Sequence, residues 1–124
     1  MAQKMIFIID DDPDILESIS AILQGEGFSS DSAMSGQEGI EKMKSLKPDL
    51  ILCDMMMENI DSGTKVAQEI RKSNRDVPIY LLSSIGAATA SNIEVEKLGF
   101  NGVFQKPVSP VTLITTIKKA LKMS

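Results

Sequence analysis

The chain has 124 residues, of which 43% are hydrophobic and 24% are charged, so it can form one domain of ordinary size with its own core. Its formal net charge of -4 argues against direct nucleic-acid binding, which usually needs a basic patch. The chain contains no histidine, which excludes histidine-based acid/base catalysis, Ser-His-Asp triads and most zinc sites.

The single cysteine and the length of the apolar segments indicate in which cellular compartment the protein is located. Cys53 has no partner for an internal disulfide and stands late in an apolar run, which favours a buried, inert thiol in a reducing compartment. No run of about 18 apolar residues could span a membrane, and the first residues lack the pattern of a signal peptide. A cytoplasmic location without membrane association is therefore expected.

Apolar runs alternate with segments of helical periodicity along the whole chain. This βαβα pattern predicts a parallel sheet with helices on both faces. Strands are predicted at residues 6–9, 28–32, 50–53, 79–82 and 103–105. Helices are predicted at residues 13–25, 35–46, 64–73 and 87–98, with a fifth helix from Ser109 or Pro110 to the end of the chain.

Local signals fix several ends of these helices. Pro13 is a favoured early helical residue, and Ser35 with Glu38 three residues on forms a capping-box pattern. Gly99 is the expected residue just past the fourth predicted helix. Three sets of apolar residues are predicted to face the core from the first, third and fifth helices: Ile15, Ile19, Ile22 and Leu23; Val66, Ala67 and Ile70; Leu113, Ile117 and Leu121.

Polar residues follow four of the five predicted strands. Asp10 and Asp11 follow the first strand, Asp54 the third, Ser83 the fourth and Lys106 the fifth. The carboxyl ends of parallel strands meet at one edge of the sheet, and this edge is where ligands bind in open α/β folds. We therefore expect three carboxylates, one hydroxyl and one ammonium to lie close together.

This set of side chains suits a divalent cation and a phosphoryl group. Three carboxylates about 5 Å apart repel each other by roughly 3 kcal/mol per pair at an effective dielectric near 20, so the fold needs compensating positive charge. Mg²⁺ takes oxygen ligands and would supply that charge together with Lys106. One carboxylate could act as a nucleophile and form an acyl phosphate, with Ser83 donating a hydrogen bond to the phosphoryl group.

Each of these residues also has a structural explanation when it is taken alone. An Asp-Asp pair after a strand commonly caps a helix, and Asp12 and Asp14 are expected to do so here. Ser83 alone would be a hydroxyl at the end of a strand, and Lys106 alone a solvated charge. The functional interpretation depends on the combination.

Taken together, the motifs resemble the receiver domain of two-component response regulators over essentially the whole chain. The resemblance is carried by the following motifs: Ile-Ile-Asp10-Asp11-Asp12-Pro13-Asp14-Ile15, Asp49-Leu-Ile-Leu-Cys-Asp54 with Met57 and Asp61 after it, Ser83, and Lys106-Pro107. It implies a flavodoxin-like (βα)₅ three-layer sandwich with a parallel five-stranded sheet of order 2-1-3-4-5. One receiver domain would cover residues 1–124.

The resemblance also implies roles for individual residues. Asp54 would accept a phosphoryl group from a sensor histidine kinase or a phosphotransfer protein. Mg²⁺ would be bound by Asp11, Asp54 and the backbone carbonyl of Met56, with Asp10 acting largely through bound water. Ser83 and Lys106 would contact the phosphoryl group. Ser84 stands where the family typically has a small residue such as alanine, and it is expected to contact the phosphoryl group and, with Met56, to tune its hydrolysis.

In such a domain, phosphorylation acts as a switch rather than as a step in turnover. It would alter the face formed by the fourth predicted helix, the fifth strand and the fifth predicted helix, which contacts a downstream protein. The domain would catalyse only its own phosphorylation and dephosphorylation, as a monomer or as a phosphorylation-linked dimer.

The chain departs from the family pattern at several positions. Glu58 follows Met57 where the family usually has proline, and Asp61-Ser62-Gly63 replaces the usual Asp-Gly. Val103 occupies the position of the switch aromatic, and the neighbouring Phe104 should point to the opposite side of the sheet. Aromatic switching in its usual form is therefore not expected.

Two alternative functions remain open at this stage. A receiver-like interaction module that does not need phosphate is favoured by the departures and opposed by the intact set of site residues. A Mg²⁺-dependent phosphatase of the haloacid-dehalogenase type would use Asp10 in an Asp10-x-Asp12 pattern, but no cap domain is evident. The receiver is expected either to have no output domain or to be a piece of a longer regulator or hybrid kinase.

Overall fold

The computed structural model describes residues 3–54, 62–73, 76–83, 100–106 and 108–122. The elements along these ranges are β1 (Met5–Ile9), α1 (Pro13–Gly25), β2 (Ser29–Ala33), α2 (Gly36–Met43), β3 (Leu50–Asp54), α3 (Ser62–Ser73), β4 (Ile79–Ser83), β5 (Gly102–Gln105) and α4 (Pro110–Ala120). The fourth predicted helix, at residues 87–98, lies outside the described residues, so α4 corresponds to the fifth predicted helix.

The five strands form one parallel sheet in the order β2-β1-β3-β4-β5, which confirms the predicted fold class. In the centre of the sheet, Ile8 pairs with Leu52 and Ile9 with Cys53. β1 and β3 are apolar along almost their whole length because helices cover both faces of a parallel sheet. None of the helices in the described ranges has the length and apolar character needed to cross a membrane.

The sheet divides the core into two clusters because successive side chains point to opposite faces. Phe7, Ile9 and Cys53 belong to the cluster that packs against α2 and α3. The second cluster packs against α1 and α4, and it contains Ile8 and Leu52. Each strand therefore contributes to both layers of the sandwich.

The helix ends agree with the sequence prediction at some residues and differ at others. α1 has the predicted bounds, and Ile19 and Leu23 are buried as predicted, while Ile15 and Ile22 are only partly buried against the same cluster. Leu16, which was not predicted to face the core, is buried as well. α2 ends at Met43 instead of residue 46 because its last residues tighten into a turn, in which the amide of Ser45 donates to the carbonyl of Lys42. β2 is shifted by one residue and α3 begins two residues early.

The two neighbouring residues of β5 lie on different sides of the sheet, as predicted. Val103 is 40% exposed, whereas Phe104 is buried in the cluster beside α1 and α4. Val103 pairs with Leu81 of β4 and Phe104 with Leu82. The position of the family's switch aromatic is therefore aliphatic and partly open to solvent.

A polar brace ties α3 to the start of β4 and β5. Arg71 donates from Nη1 to the carbonyl of Val77 (2.6 Å) and from Nη2 to Oδ1 of Asn101 (2.9 Å). The same Oδ1 accepts from the amide of Ile79 (2.9 Å), and the amide of Asn101 donates to the carbonyl of Ile79 (2.6 Å). Asn101 thus fixes the amino end of β4 against β5, at the edge of the sheet opposite the polar strand ends.

Replacing Asn101 tests this brace. Asn101→Ala removes the acceptor for a buried backbone amide, so we expect the free energy of unfolding to fall by about 1–3 kcal/mol. Asn101→Asp keeps an acceptor oxygen beside Arg71 and should retain most of the stability. Urea denaturation monitored by circular dichroism measures the free energy of unfolding of both variants. Equal losses of stability in the two variants would show that the acceptor oxygen of residue 101 does not stabilise the fold.

Candidate functional site

The buried polar side chains of the described ranges gather at one place in the fold. Asp10 is 0% exposed, Asp54 is 6% exposed and Ser83 is 3% exposed. Asp10 directly follows β1, while Asp54 and Ser83 are the last residues of β3 and β4. Parallel strands bring these three ends to the carboxyl edge of the sheet, where Lys106 directly follows β5.

Backbone contacts orient the carboxylate of Asp10. Its Oδ1 accepts a hydrogen bond from the amide of Asp12 (2.9 Å), and its own amide donates to the carbonyl of Ala33 at the end of β2 (3.0 Å). Among the described residues, the buried Oδ2 has no hydrogen-bond partner of regular geometry, but Nζ of Lys106 lies 2.8 Å away. One oxygen is therefore held by the backbone and the other faces positive charge.

Asp12 has a different task, which the sequence predicted. It is the N-cap of α1, and its Oδ1 accepts from the amide of Asp14 (2.9 Å). Asp12 is exposed and its carboxylate is occupied by the helix terminus. This use counts against the Asp10-x-Asp12 phosphatase alternative, which needs Asp12 in the site.

Lys106 bridges two carboxylates. Its Nζ lies 2.8 Å from Oδ2 of Asp10 and 3.2 Å from Oδ1 of Asp54, and its side chain is only 18% exposed. Burial alone would lower the pKa of Lys106, but the close approach and negative charge of Asp10, followed by those of Asp54, outweigh it and raise the pKa above the usual value. Lys106 is therefore a firmly protonated counter-ion at neutral pH.

The carboxylate of Asp11 completes the acidic cluster. Asp10, Asp11 and Asp54 each offer a carboxylate oxygen, and these oxygens lie within 4.8 Å of one another. Three ionised carboxylates and one ammonium leave a formal charge of -2 at the edge. All donors are oxygens, as Mg²⁺ prefers, and one divalent cation would balance that charge. The residues present fit such an ion.

Cys53 lies next to Asp54 but outside the cluster. It is completely buried among the apolar residues beside α3, and its Sγ lies 3.5 Å from the carbonyl oxygen of Asp54. Burial, and then the negative charges of Asp54 and Asp10, raise the pKa of the Cys53 thiol far above its usual range. The expectation of a buried thiol is confirmed.

Some predicted site residues lie outside the described ranges. In addition, two backbone groups that hold Asp10 in place were not predicted. Met56, Glu58, Ser84 and Pro107 belong to the first group, so their predicted roles stay predictions. The carbonyl of Ala33 and the amide of Asp12 belong to the second group, since both act through backbone atoms that any residue type carries. An N-cap motif after the strand is the one sequence signal that could have indicated the amide of Asp12.

The charge balance of the cluster predicts the effect of Asp54→Asn on stability. The variant loses an attraction to Lys106 of roughly 5 kcal/mol and two carboxylate repulsions of roughly 3 kcal/mol each, at an effective dielectric near 20. We therefore expect it to fold and to be at least as stable as the wild type in a urea titration without divalent ions. Lys106→Met is the contrasting variant and should lose about 2 kcal/mol or more. Unfolding of Asp54→Asn would contradict this balance.

Comparisons with known proteins agree with the fold. Residues 6–118 match the family model of the response regulator receiver domain. A putative response regulator from Chloroflexus aurantiacus superposes with a TM-score of 0.86 at 27% identity, covering 98% of this chain and 99% of that one. A CheY-like receiver domain protein from Methanospirillum hungatei gives a TM-score of 0.86 at 27% identity, covering 98% of this chain and 95% of that one.

Curated relatives match the chain over only part of their own length. The DNA-binding response regulator MtrA of Mycolicibacterium smegmatis is 28% identical over 120 residues, which are 97% of this chain and 51% of that protein. The chain spans between about a quarter and about half of the length of the first such relatives. The match to the family model nevertheless extends over most of the chain, and the chain belongs to the receiver domains of two-component response regulators.

Proposed function

We propose that this receiver domain accepts a phosphoryl group on Asp54 from a sensor histidine kinase or a phosphotransfer protein, in a Mg²⁺-dependent reaction. The observation that carries this proposal is that one ammonium, that of Lys106, lies between the buried carboxylates of Asp10 and Asp54 at the carboxyl edge, where β4 also ends in the buried Ser83. A fold keeps such groups in its interior only where they are compensated, and functional sites are common places for them.

The transfer itself needs a nucleophile and compensation of phosphoryl charge. A carboxylate oxygen of Asp54 attacks phosphorus, so that an oxygen–phosphorus bond forms while the bond from phosphorus to the donor's histidine nitrogen breaks. The electron pair stays on that nitrogen, which takes up a proton from solvent. Lys106, already 3.2 Å from Oδ1 of Asp54, compensates charge on the phosphoryl oxygens, and the hydroxyl of Ser83 on the next strand donates a hydrogen bond.

The acidic cluster is the proposed cation site. When bound, Mg²⁺ would neutralise the phosphoryl oxygens and favour an in-line arrangement of the attacking and leaving atoms. Asp11 and Asp54 would hold the ion together with the backbone carbonyl of Met56, as the family resemblance implies. Asp10, whose Oδ1 is engaged by the amide of Asp12, would act largely through water.

Phosphorylation would then work as a switch for a protein partner. The new group carries about -1.5 to -2 charges and draws Ser83, Ser84 and Lys106 toward its oxygens. The proposed output face consists of β5, α4 and residues 87–98. The domain would signal by a shift between two packings, one of which the phosphoryl group stabilises, and it would be a signalling domain rather than a classical enzyme.

One observation favours a second candidate function. Val103, at the position of the switch aromatic, is aliphatic and 40% exposed, so a module that binds its partner without phosphate is the alternative. The intact acidic cluster and the placement of Lys106 favour the phosphorylated switch. The proposal covers residues 1–124 as one receiver domain in the cytoplasm, whether or not a longer protein contains it.

Acetyl phosphate tests the acceptor without a partner kinase. Wild type incubated with acetyl phosphate and Mg²⁺ should gain the mass of one phosphoryl group, and Asp54→Asn should gain none because the nucleophilic oxygen is replaced by an amide nitrogen. Intact mass spectrometry, with and without Mg²⁺, measures this. If the wild type binds Mg²⁺ in a separate titration yet gains no mass, the phosphate-independent module becomes the better interpretation.

Lys106→Ala separates metal binding from the response. The variant keeps all three carboxylates and should still bind Mg²⁺, while phosphorylation should no longer alter the protein's conformation because the ammonium that follows the phosphoryl group is gone. Calorimetric Mg²⁺ titration and hydrogen exchange, with and without acetyl phosphate, measure the two properties. A response as large as that of the wild type would remove Lys106 from the mechanism.

A further inference from the structure

The two strands that end in Ser83 and Lys106 each carry an aromatic side chain on the same face of the sheet. Tyr80 of β4 and Phe104 of β5 have ring centroids 5.3 Å apart with an interplanar angle of 36°. Phe104 belongs to the buried cluster beside α1 and α4, and the partly buried Tyr80 packs against that cluster. This pair lies on the opposite face from Val103, the position at which the family carries its switch aromatic.

The tyrosine ring of the pair lies directly against the backbone of β5. Gly102 lies opposite Tyr80 in the strand register, and a Cβ at residue 102 would lie only 2.8 Å from Cε2 of the tyrosine ring. The ring therefore fills the space that a side chain would occupy on β5. Because the ring and the strand backbone are in such close contact, a shift of β5 displaces the Tyr80 ring.

The aromatic pair is connected to the site through short segments of backbone. Phe104 is two residues before Lys106, and the amide of Lys106 donates to the carbonyl of Ser83 (2.7 Å), which joins the ends of β4 and β5. The ammonium of Lys106 is held at 2.8 Å by Asp10 and at 3.2 Å by Asp54. A change of partners at that ammonium therefore acts on the end of the strand that carries Phe104.

On its other side, the pair meets the C-terminal helix. Leu113 and Ile117 of α4 are fully buried in the same cluster as Phe104, and Ile114 and Leu121 pack against that cluster together with Tyr80. Val103, in contrast, belongs to neither core cluster among the described residues. Among the described residues, the cluster that holds Phe104 therefore connects the aromatic pair with α4.

We propose that Tyr80 and Phe104 relay the phosphorylation state of the site to α4, in place of a switch aromatic at position 103. This inference rests on the proposed function. When Lys106 turns from the carboxylates to a phosphoryl oxygen, the end of β5 shifts, Phe104 moves against Tyr80, and the packing of Leu113 and Ile117 changes. The two rings are positioning residues, since neither touches the reacting atoms.

Tyr80 itself supplies the probe. It is the single tyrosine in a chain without tryptophan, so its intrinsic fluorescence reports on the pair without a label. The full chain is treated with Mg²⁺ and acetyl phosphate, and intact mass of the same sample gives the phosphorylated fraction. We expect the tyrosine emission to change in proportion to that fraction, and the hydrogen exchange of residues 110–120 to change with it.

Matched variants distinguish a relay from a general loosening of the core. Phe104→Leu removes a ring from the pair, whereas Phe100→Leu removes an equally buried ring from the opposite cluster. Both should still be phosphorylated, but the exchange response of α4 should be lost in Phe104→Leu and retained in Phe100→Leu. Tyr80→Leu removes the partner ring and should lose the response, and Tyr80→Phe, which keeps the ring, should retain it.

The outcomes separate the relay from the proposed function. A phosphorylated wild type with unchanged tyrosine emission, or a full α4 response in Phe104→Leu, would overturn the relay and leave Asp54 as the acceptor. A wild type that gains no phosphoryl group would overturn the proposed function and the relay together. If Phe104→Leu fails to fold, the comparison of Tyr80→Leu with Tyr80→Phe decides.

Discussion

The ammonium of Lys106 between Asp10 and Asp54 is the interaction on which the carboxyl edge depends. Asp10 is inaccessible to solvent and Asp54 nearly so, which means that water cannot screen their repulsion. A cation held at 2.8 and 3.2 Å provides that compensation from within the chain. Without it, the ends of the two central strands would carry buried charges of the same sign.

The backbone of the sheet is what brings these charges together. β1 and β3 are neighbours although α1, β2 and α2 separate them in sequence, and their pairing brings Asp10 and Asp54 to the same level of the sheet edge. β4 and β5 follow on the same side, and the bond from the amide of Lys106 to the carbonyl of Ser83 fixes the last strand end. The site is thus a consequence of parallel pairing rather than of a local motif.

Sequence reasoning predicted those aspects of the molecule that have a short-range physical cause. The strand ends, the cap at Asp12 and the opposite orientations of Val103 and Phe104 follow from apolar runs, capping chemistry and the alternation of side chains along a strand. In α1, Ile19 and Leu23 are buried as predicted, but Leu16 is buried more deeply than Ile15, because the choice between adjacent apolar residues depends on the packing of the whole layer.

Contacts that depend on the register between distant segments could not be predicted from the sequence. Phe104 was predicted to point away from Val103, but its partner ring could not be named, because Tyr80 lies 24 residues earlier. The same holds for Arg71 and Asn101, whose bond joins α3 to the start of β5 over 30 residues. The carbonyl of Ala33 gave no signal at all, since every residue type offers the same acceptor.

Lys106 can both compensate the buried carboxylates and respond to phosphorylation only if its ammonium can exchange one oxygen partner for another at a small cost in free energy. Lys106 meets that condition because its side chain retains 18% exposure and binds two carboxylates, so a phosphoryl group on Asp54 would offer new oxygens while Asp10 stays in place. The same exchange would displace the end of β5, because the side chain of Lys106 extends from a backbone whose amide donates a hydrogen bond to the carbonyl of Ser83. Where position 103 carries no aromatic ring to move, the buried face of that strand, with Phe104 against Tyr80, is the packed element available to respond.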